Sequence, residues 1–238
     1  MTKFTYLLVN LGTILIPFLF SFHPKLKFYK TWKSFFPGLG ITGFIFIVWD
    51  VYFTYLGVWG FNKNYLTGVE VLNLPVEEIL FFFCIPYACV FTYHCLDILI
   101  KKSPVSAEST LTLLLIIILI TTGILFYNKL YSVFTFISLA VVLALAKYIL
   151  KVTWLSKFYL IYAILLIPFL IVNGILTGSG LEHPVVWYNE METIGIRIGT
   201  IPLEDVFYGM ELILINLLIY KNLLKRQRSK KIKESLYT

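Results

Sequence analysis

Two pairs of neighbouring acids carry the chemistry this sequence has to offer: Pro75-Val76-Glu77-Glu78 and, 127 positions later, Pro202-Leu203-Glu204-Asp205. In each, a proline and an apolar residue lead into two carboxyl groups at the head of a long apolar run. Paired carboxyls at the rim of an apolar interior feel opposed influences. Desolvation and a like-charged neighbour favour the neutral form, while the amides of a helix N-terminus favour the ionised one. Such a pair can hold one neutral acid beside one carboxylate, which suits delivery of a proton to a substrate followed by removal of another.

A purely structural account exists. Proline is favoured at the first helical position, and acids in the first turn are stabilised by the helix dipole. That account covers one copy, but capping requires neither the second acid nor fixed spacing upstream. Both copies have a glycine seven residues before the proline (Gly68, Gly195) and a tryptophan 16 or 15 residues before it (Trp59, Trp187). A duplicated unit explains this most simply, with Glu77, Glu78, Glu204 and Asp205 as candidate catalytic residues.

Weaker candidates lie nearby. Asp50 sits in an apolar run at Trp49-Asp50-Val51-Tyr52, where an ionisable group is costly, about 2.5 to 3.5 kcal/mol at a membrane midplane, and is expected to face the interior of a bundle. Glu204, Tyr208 and Glu211 follow i, i+4, i+7 and share a helix face; Glu77, Phe81 and Cys84 are its counterpart. With 18% Phe, Trp and Tyr, the chain has aromatic rings for interfacial anchoring and packing, and also π faces able to stabilise a cation. Tyr52, Trp59, Tyr208, Asp50 and Glu211 are therefore candidate substrate- or cation-contacting residues.

Other chemistries find little support. Cys84, Cys89 and Cys95 lack Cys-x-x-Cys spacing, and His23, His94 and His183 form no His-x-x-x-His pattern, so no metal site is expected. One Gly-x-Gly-x-x-Gly match, Gly38 to Gly43, lies inside the long apolar run of residues 35–56 and not between a strand and a helix, so it is no Rossmann pattern and no flavin or nicotinamide cofactor is expected either.

The elements that must position these acids are membrane helices. At 59% hydrophobic and 14% charged residues over 238 positions, the chain is too apolar for a soluble domain. Seven stretches approach the roughly 20 residues needed to span a bilayer: about 4–22, 35–56, 76–100, 110–127, 130–150, 157–176 and 203–220. A cleaved secretory signal is not expected at the first, because Phe20-Ser21-Phe22-His23 offers no small-residue cleavage site.

The formal charge of +7 is unevenly distributed. Lys25, Lys27, Lys30 and Lys33, then Lys101 and Lys102, then Lys147, Lys151 and Lys157, then seven residues from Lys221 to Lys233 fall in alternate loops and the tail. Only Lys3, Lys63, Lys129 and Arg197 remain for the other side. The positive-inside bias places the N-terminus outside and the C-terminus in the cytoplasm of a cell (inner) membrane protein. The basic tail is an orientation signal and an anionic-lipid contact, not a nucleic-acid site.

The expected fold class is thus an all-α integral membrane protein of seven transmembrane helices, two parallel three-helix repeats joined by a linker helix (3+1+3). The first repeat covers 1–100, the linker helix 101–129, the second repeat 130–228 and the basic tail 229–238. Both acidic motifs then open inward-running helices at the outer face, under glycine-rich loops at 57–75 and 177–202. The halves are not equivalent, since Asn173 stands where a partner for Asp50 is expected.

At these residues the chain resembles a known family. Trp49-Asp50, Gly57-Val58-Trp59-Gly60-Phe61-Asn62, Pro75-Val76-Glu77-Glu78, Trp187-Tyr188, Gly195-Ile196-Arg197-Ile198-Gly199-Thr200 and Pro202-Leu203-Glu204-Asp205 are similar to the membrane-integral lycopene cyclase domain family, in its fused form, over about 40–220. The resemblance implies cyclisation of the ψ ends of lycopene to β-ionone rings, through γ-carotene to β-carotene, by an intramolecular lyase or isomerase without net redox. It implies an acyclic carotenoid taken from the bilayer as substrate. Glu77 or Glu204 is then the expected proton donor, with Glu78 or Asp205 tuning it or serving as base, in one joint site or two.

A different class remains open on the residues alone: a small 3+1+3 transporter whose intramembrane acids couple protons to a solute. A retinal-binding protein is excluded because 203–220 contains no lysine for a Schiff base. If the cyclase reading holds, turnover proceeds without added flavin or nicotinamide, and in heavy water each new ring gains one solvent deuterium. Rings formed without deuterium contradict initiation by an exchangeable acid.

Overall fold

A computed structural model describes residues 3–100 and 107–236. Seven α-helices occur among them: α1 (Thr5–Phe20), α2 (Trp32–Tyr55), α3 (Val76–Leu99), α4 (Glu108–Leu125), α5 (Leu130–Ala144), α6 (Leu155–Leu176) and α7 (Leu203–Leu236). Each begins within three residues of an expected stretch. A π-helical turn, Leu145–Ile149, extends α5. α7 runs on into the basic tail expected from 229, as far as Leu236; lysine and arginine are good helix formers.

Of the seven expected spans, five are long and apolar enough to cross a membrane: α2 with the short turn before it, α3, α4, α5 with its π turn, and α6. The other two differ: α1 is short, and α7 carries buried acids in its apolar part. At 16 residues, α1 is about 24 Å long at 1.5 Å per residue, less than a bilayer core. The apolar part of α7 holds Glu204, Asp205 and Glu211, which are buried between helices. Lys101 and Lys102, counted among the basic loops, lie outside the described residues.

Side-chain contacts fix how the helices run. Tyr6 meets Glu78 and Ser21 meets Tyr87, so α1 and α3 are parallel. Tyr131 meets Asp205 and Ser138 meets Glu211, so α5 and α7 are parallel too. The N-terminal ends of these four helices gather at one end of the bundle. Ion pairs of Lys147 with Glu108 and of Lys157 and Lys221 with Asp97 lie at the other. The core between the helices is aromatic, with Phe28, Phe35, Phe136 and Phe158 fully buried. α4 packs on α5, where Gly123 lets the Ile137 side chain approach its backbone, while Leu113, Leu114, Ile117 and Ile118 are exposed, as expected of a lipid-facing helix.

Over the gathered ends lie the two connecting loops. β1 (Trp59–Phe61) pairs antiparallel with β4 (Val186–Tyr188), with Gly60 opposite Trp187. A side chain at position 60 would collide with the Trp187 indole, so only glycine allows this crossing. Each loop then makes a hairpin, β2 (Glu70–Val71) with β3 (Leu74–Pro75) and β5 (Arg197–Ile198) with β6 (Ile201–Pro202). In the 127-residue register that relates the hairpins, Trp187 corresponds to Gly60 and not to Trp59. The two tryptophans that suggested a common spacing are therefore not counterparts: across the β1–β4 pair Trp59 stands opposite Tyr188, and Trp187 opposite Gly60.

Because the loops hydrogen-bond to each other, they must lie on one side of the bilayer. Reporter fusions after Lys63 and Glu190 are expected to read the outer side, and fusions after Lys30 and Lys151 the cytoplasm. Opposite readings at Lys63 and Glu190 would break the pairing, and a uniform reversal would overturn the charge-based orientation.

Candidate active site

Each acidic motif opens its helix at the first turn, where proline supplies an extended backbone (Pro75 φ −66°, ψ 145°) and the next residues begin the helix. Successive helical residues are turned by about 100°, so adjacent acids point to different places. In both copies the first acid looks toward the loop and the second toward the space between the halves.

The first glutamates are fully buried. Glu77 accepts the Thr67 backbone N–H at 2.6 Å, and Glu204 accepts that of Ile194, also at 2.6 Å. The next residues, Gly68 and Gly195, have φ of 90° and 82°, the left-handed region that glycine occupies without strain. That bend carries the chain from the glutamate into the hairpin. Backbone bonds from Val76 to Val69 and from Leu203 to Ile196, both 2.9 Å, close the two loops in the same way. Glu204 also accepts from Ser132 of α5 at 2.6 Å, whereas the carbonyl of Glu77 accepts from Asn10 of α1 at 2.7 Å.

The second acids line a single cavity. Glu78 from α3, Asp205 from α7 and Asp50 from α2 all border it, together with Tyr6, Trp59, Tyr131, Tyr188 and Tyr208. Glu78 accepts from Tyr6 at 2.5 Å. Asp205 accepts three bonds: from Tyr131 at 2.6 Å, Asn173 at 2.6 Å and Tyr188 at 2.9 Å. Asp50 accepts from the Trp59 indole and, at 3.3 Å, from Thr54, and its Oδ2 is buried without a protein partner. The three carboxyls are thus individually braced around one space. No group of three metal-ligating side chains comes together among the described residues.

Aromatic rings wall the cavity. Trp59 and Tyr131 have centroids 5.1 Å apart, Tyr131 stacks on Tyr188 at 5.8 Å, and Tyr208 is edge-on to Phe46 at 5.0 Å and to Trp49 at 5.1 Å. The cavity volume is about 60 Å³, room for a few waters.

Of the sequence candidates, Asp50, Trp59, Glu78, Asp205 and Tyr208 are brought together here. Glu77 and Glu204 are not among the lining residues; they hold the loops. Glu211 bonds to Ser138 at 2.7 Å and, with Tyr52, borders a separate groove facing the outside. The stripe Glu204, Tyr208, Glu211 exists, but its two acids are directed at serines of α5, and the cavity-facing acid is the neighbouring Asp205.

The tyrosines of α1 and α5 escaped the sequence reading. Tyr6 precedes Glu78 by 72 positions and Tyr131 precedes Asp205 by 74. Aligning these two helices at an offset of 125 pairs Tyr6 with Tyr131, Asn10 with Thr135 and Thr13 with Ser138. That signal was available but weak, because the intervening residues are interchangeable apolar ones. Asn173, noted only as the missing partner of Asp50, turns out to serve Asp205.

A sequence model described as lycopene cyclase matches the chain twice, over residues 3–96 and 128–223. The first match takes in α1 to α3 and the second α5 to α7, each with its loop and acidic motif. Comparison with the curated proteins and with the solved structures gives no match. The two matches together cover most of the 238 residues, and the chain belongs to the lycopene cyclase family.

Proposed function

We propose that this protein is a lycopene β-cyclase that closes the ψ ends of lycopene into β-ionone rings, passing through γ-carotene to β-carotene. It acts as an integral protein of the cell (inner) membrane, N-terminus outside and C-terminus cytoplasmic, in a 3+1+3 layout with α4 joining two parallel three-helix units. One observation carries the reading: Glu78 and Asp205, one from each motif, border the same aromatic-walled cavity as Asp50.

The reaction needs an acid, a shelter for a cation and a base. A neutral carboxyl adds its proton to the terminal double bond, leaving a tertiary cation. The π electrons of the neighbouring double bond then form the ring bond and move the positive charge onto a ring carbon. Loss of a proton from the adjacent ring carbon restores a double bond, so one proton enters, one leaves and no electrons are exchanged. Asp205, with three donors converging on it, is matched to the carboxylate role, since such bonds favour the charged form. Glu78, with a single donor from Tyr6, is the proton source, and Asp50 with its unpartnered Oδ2 is its alternate. Trp59, Tyr131, Tyr188 and Tyr208 offer π faces to the cation and exclude water that would quench it.

On this reading the donor role expected for Glu77 or Glu204 passes to the neighbouring acid in each motif, and the first glutamates are positioning residues. Amide variants separate the two assignments. Glu78→Gln and Asp205→Asn are expected to lower ring formation by about 10² to 10⁴ per folded molecule, at both ends of the substrate. Glu77→Gln and Glu204→Gln retain an acceptor oxygen and far more activity. Glu77→Ala, which leaves the Thr67 N–H without its acceptor, is expected to cost about 1 to 3 kcal/mol of stability. Expression in a lycopene-accumulating bacterium, with pigment chromatography and protein quantitation, measures all of these. Specific activity near wild type for Glu78→Gln and Asp205→Asn would remove them from the chemistry.

A further inference from the structure

We propose that the polyene chain of the substrate lies in the apolar groove between α1, α3 and α6, and that this groove is the doorway from the bilayer to the acidic cavity. The inference rests on the proposed function in taking a long acyclic carotenoid as the occupant.

Continuity carries the argument. The groove is bordered by α1 residues from Leu8 to Pro17, α3 residues from Phe81 to Thr92 and α6 residues from Leu165 to Ile175. It shares Phe81, Ile85, Phe169 and Asn173 with the cavity, so those four side chains are the partition between them. Its volume is about 360 Å³ against about 60 Å³ for the cavity. Between Phe81 and Thr92, α3 advances about 16 Å, a span suited to an extended chain and not to a compact solute. The groove offers that chain no unsatisfied hydroxyl: Thr13 donates to the Val9 carbonyl and Thr92 to that of Ala88, each at 2.8 Å. Its rim, at Leu8, Gly12 and Pro168, is exposed on the outside of the bundle.

The duplicated fold creates a second groove in the corresponding place, between α2, α5 and α7. That one is a dead end. It shares no lining residue with the cavity. Here Trp49 occupies the position that Val172 holds in the first groove, and it packs edge-on against Tyr208 at 5.1 Å and Phe53 at 5.6 Å. One open groove and one cavity admit one end of the substrate at a time. The half-cyclised product must therefore withdraw and return by its other end, so γ-carotene is a free intermediate.

Gly12 is the point to test, because a side chain there meets nothing within 4 Å and removing a mid-helix glycine favours α1. Gly12→Ala, Gly12→Leu and Gly12→Phe in the full-length protein, in lycopene-containing membranes, fill the groove stepwise. Lycopene retained by the purified protein, read by visible absorbance, and rings formed per molecule are expected to fall together along this series, by about tenfold or more for phenylalanine. Val48→Phe, in the blind groove, is expected to leave both unchanged, and γ-carotene is expected to precede β-carotene in a time course. Equal lycopene retention by wild type and Gly12→Phe overturns the doorway. So does absence of lycopene from both with phospholipid co-purifying, which makes an acyl chain the occupant. Retention that falls along the series while wild type forms no ring upholds the groove and overturns the cyclase reading instead.

Discussion

In each half of the molecule a buried carboxylate oxygen accepts a backbone N–H from ten residues upstream at 2.6 Å, and the rest of the site depends on that contact. It ties the start of α3 or α7 to the loop above it and sets the rotation of the helix. One residue further on, the second acid is thereby aimed into the bundle. A buried backbone N–H left without an acceptor is expensive, and these side chains supply one. The glycine that follows the donor allows the chain to turn back over the glutamate; a side chain in that left-handed conformation is strained.

The two anchored loops then meet each other. The β1–β4 pair joins the halves by backbone hydrogen bonds, with Gly60 yielding space to Trp187. Around this junction the halves contribute different things. The first supplies Trp59 to Asp50; the second supplies Tyr188 and Asn173 to Asp205. Duplication gives a frame with twofold character, and divergence at a few positions makes one cavity with unlike acids. Unlike acids around one cavity suit the proposed addition of one proton and removal of another.

Divergence also distinguishes the outer surfaces. Val172 and Trp49 occupy corresponding places on α6 and α2, yet the groove at Val172 shares lining residues with the cavity and the groove at Trp49 shares none. This is a difference of volume, and in close-packed interiors a single large ring changes the space beside it.

Much was legible in the residues themselves. Apolar length set the seven helices within a few positions, because each must satisfy its backbone internally. The repeated Pro-x-acid-acid pattern located the site at the heads of α3 and α7, and an ionisable Asp50 in an apolar run had to face inward. Local spacing could not assign the roles of adjacent acids. Whether Glu77 or Glu78 faces the cavity depends on helix rotation, which the loop contact at Thr67 fixes. Nor could it place Tyr6 and Tyr131, which lie more than 70 residues from the acids they serve in helices of interchangeable apolar residues. The near-equal tryptophan spacing misled for the same reason: Trp59 is opposite Tyr188 and Trp187 opposite Gly60, and sheet register is decided by the strand that arrives from the other half. The sequence by itself determined which groups lie inside the bundle. Only the tertiary structure decided which of them share a cavity, because a shared cavity is a property of helix rotation and packing between halves.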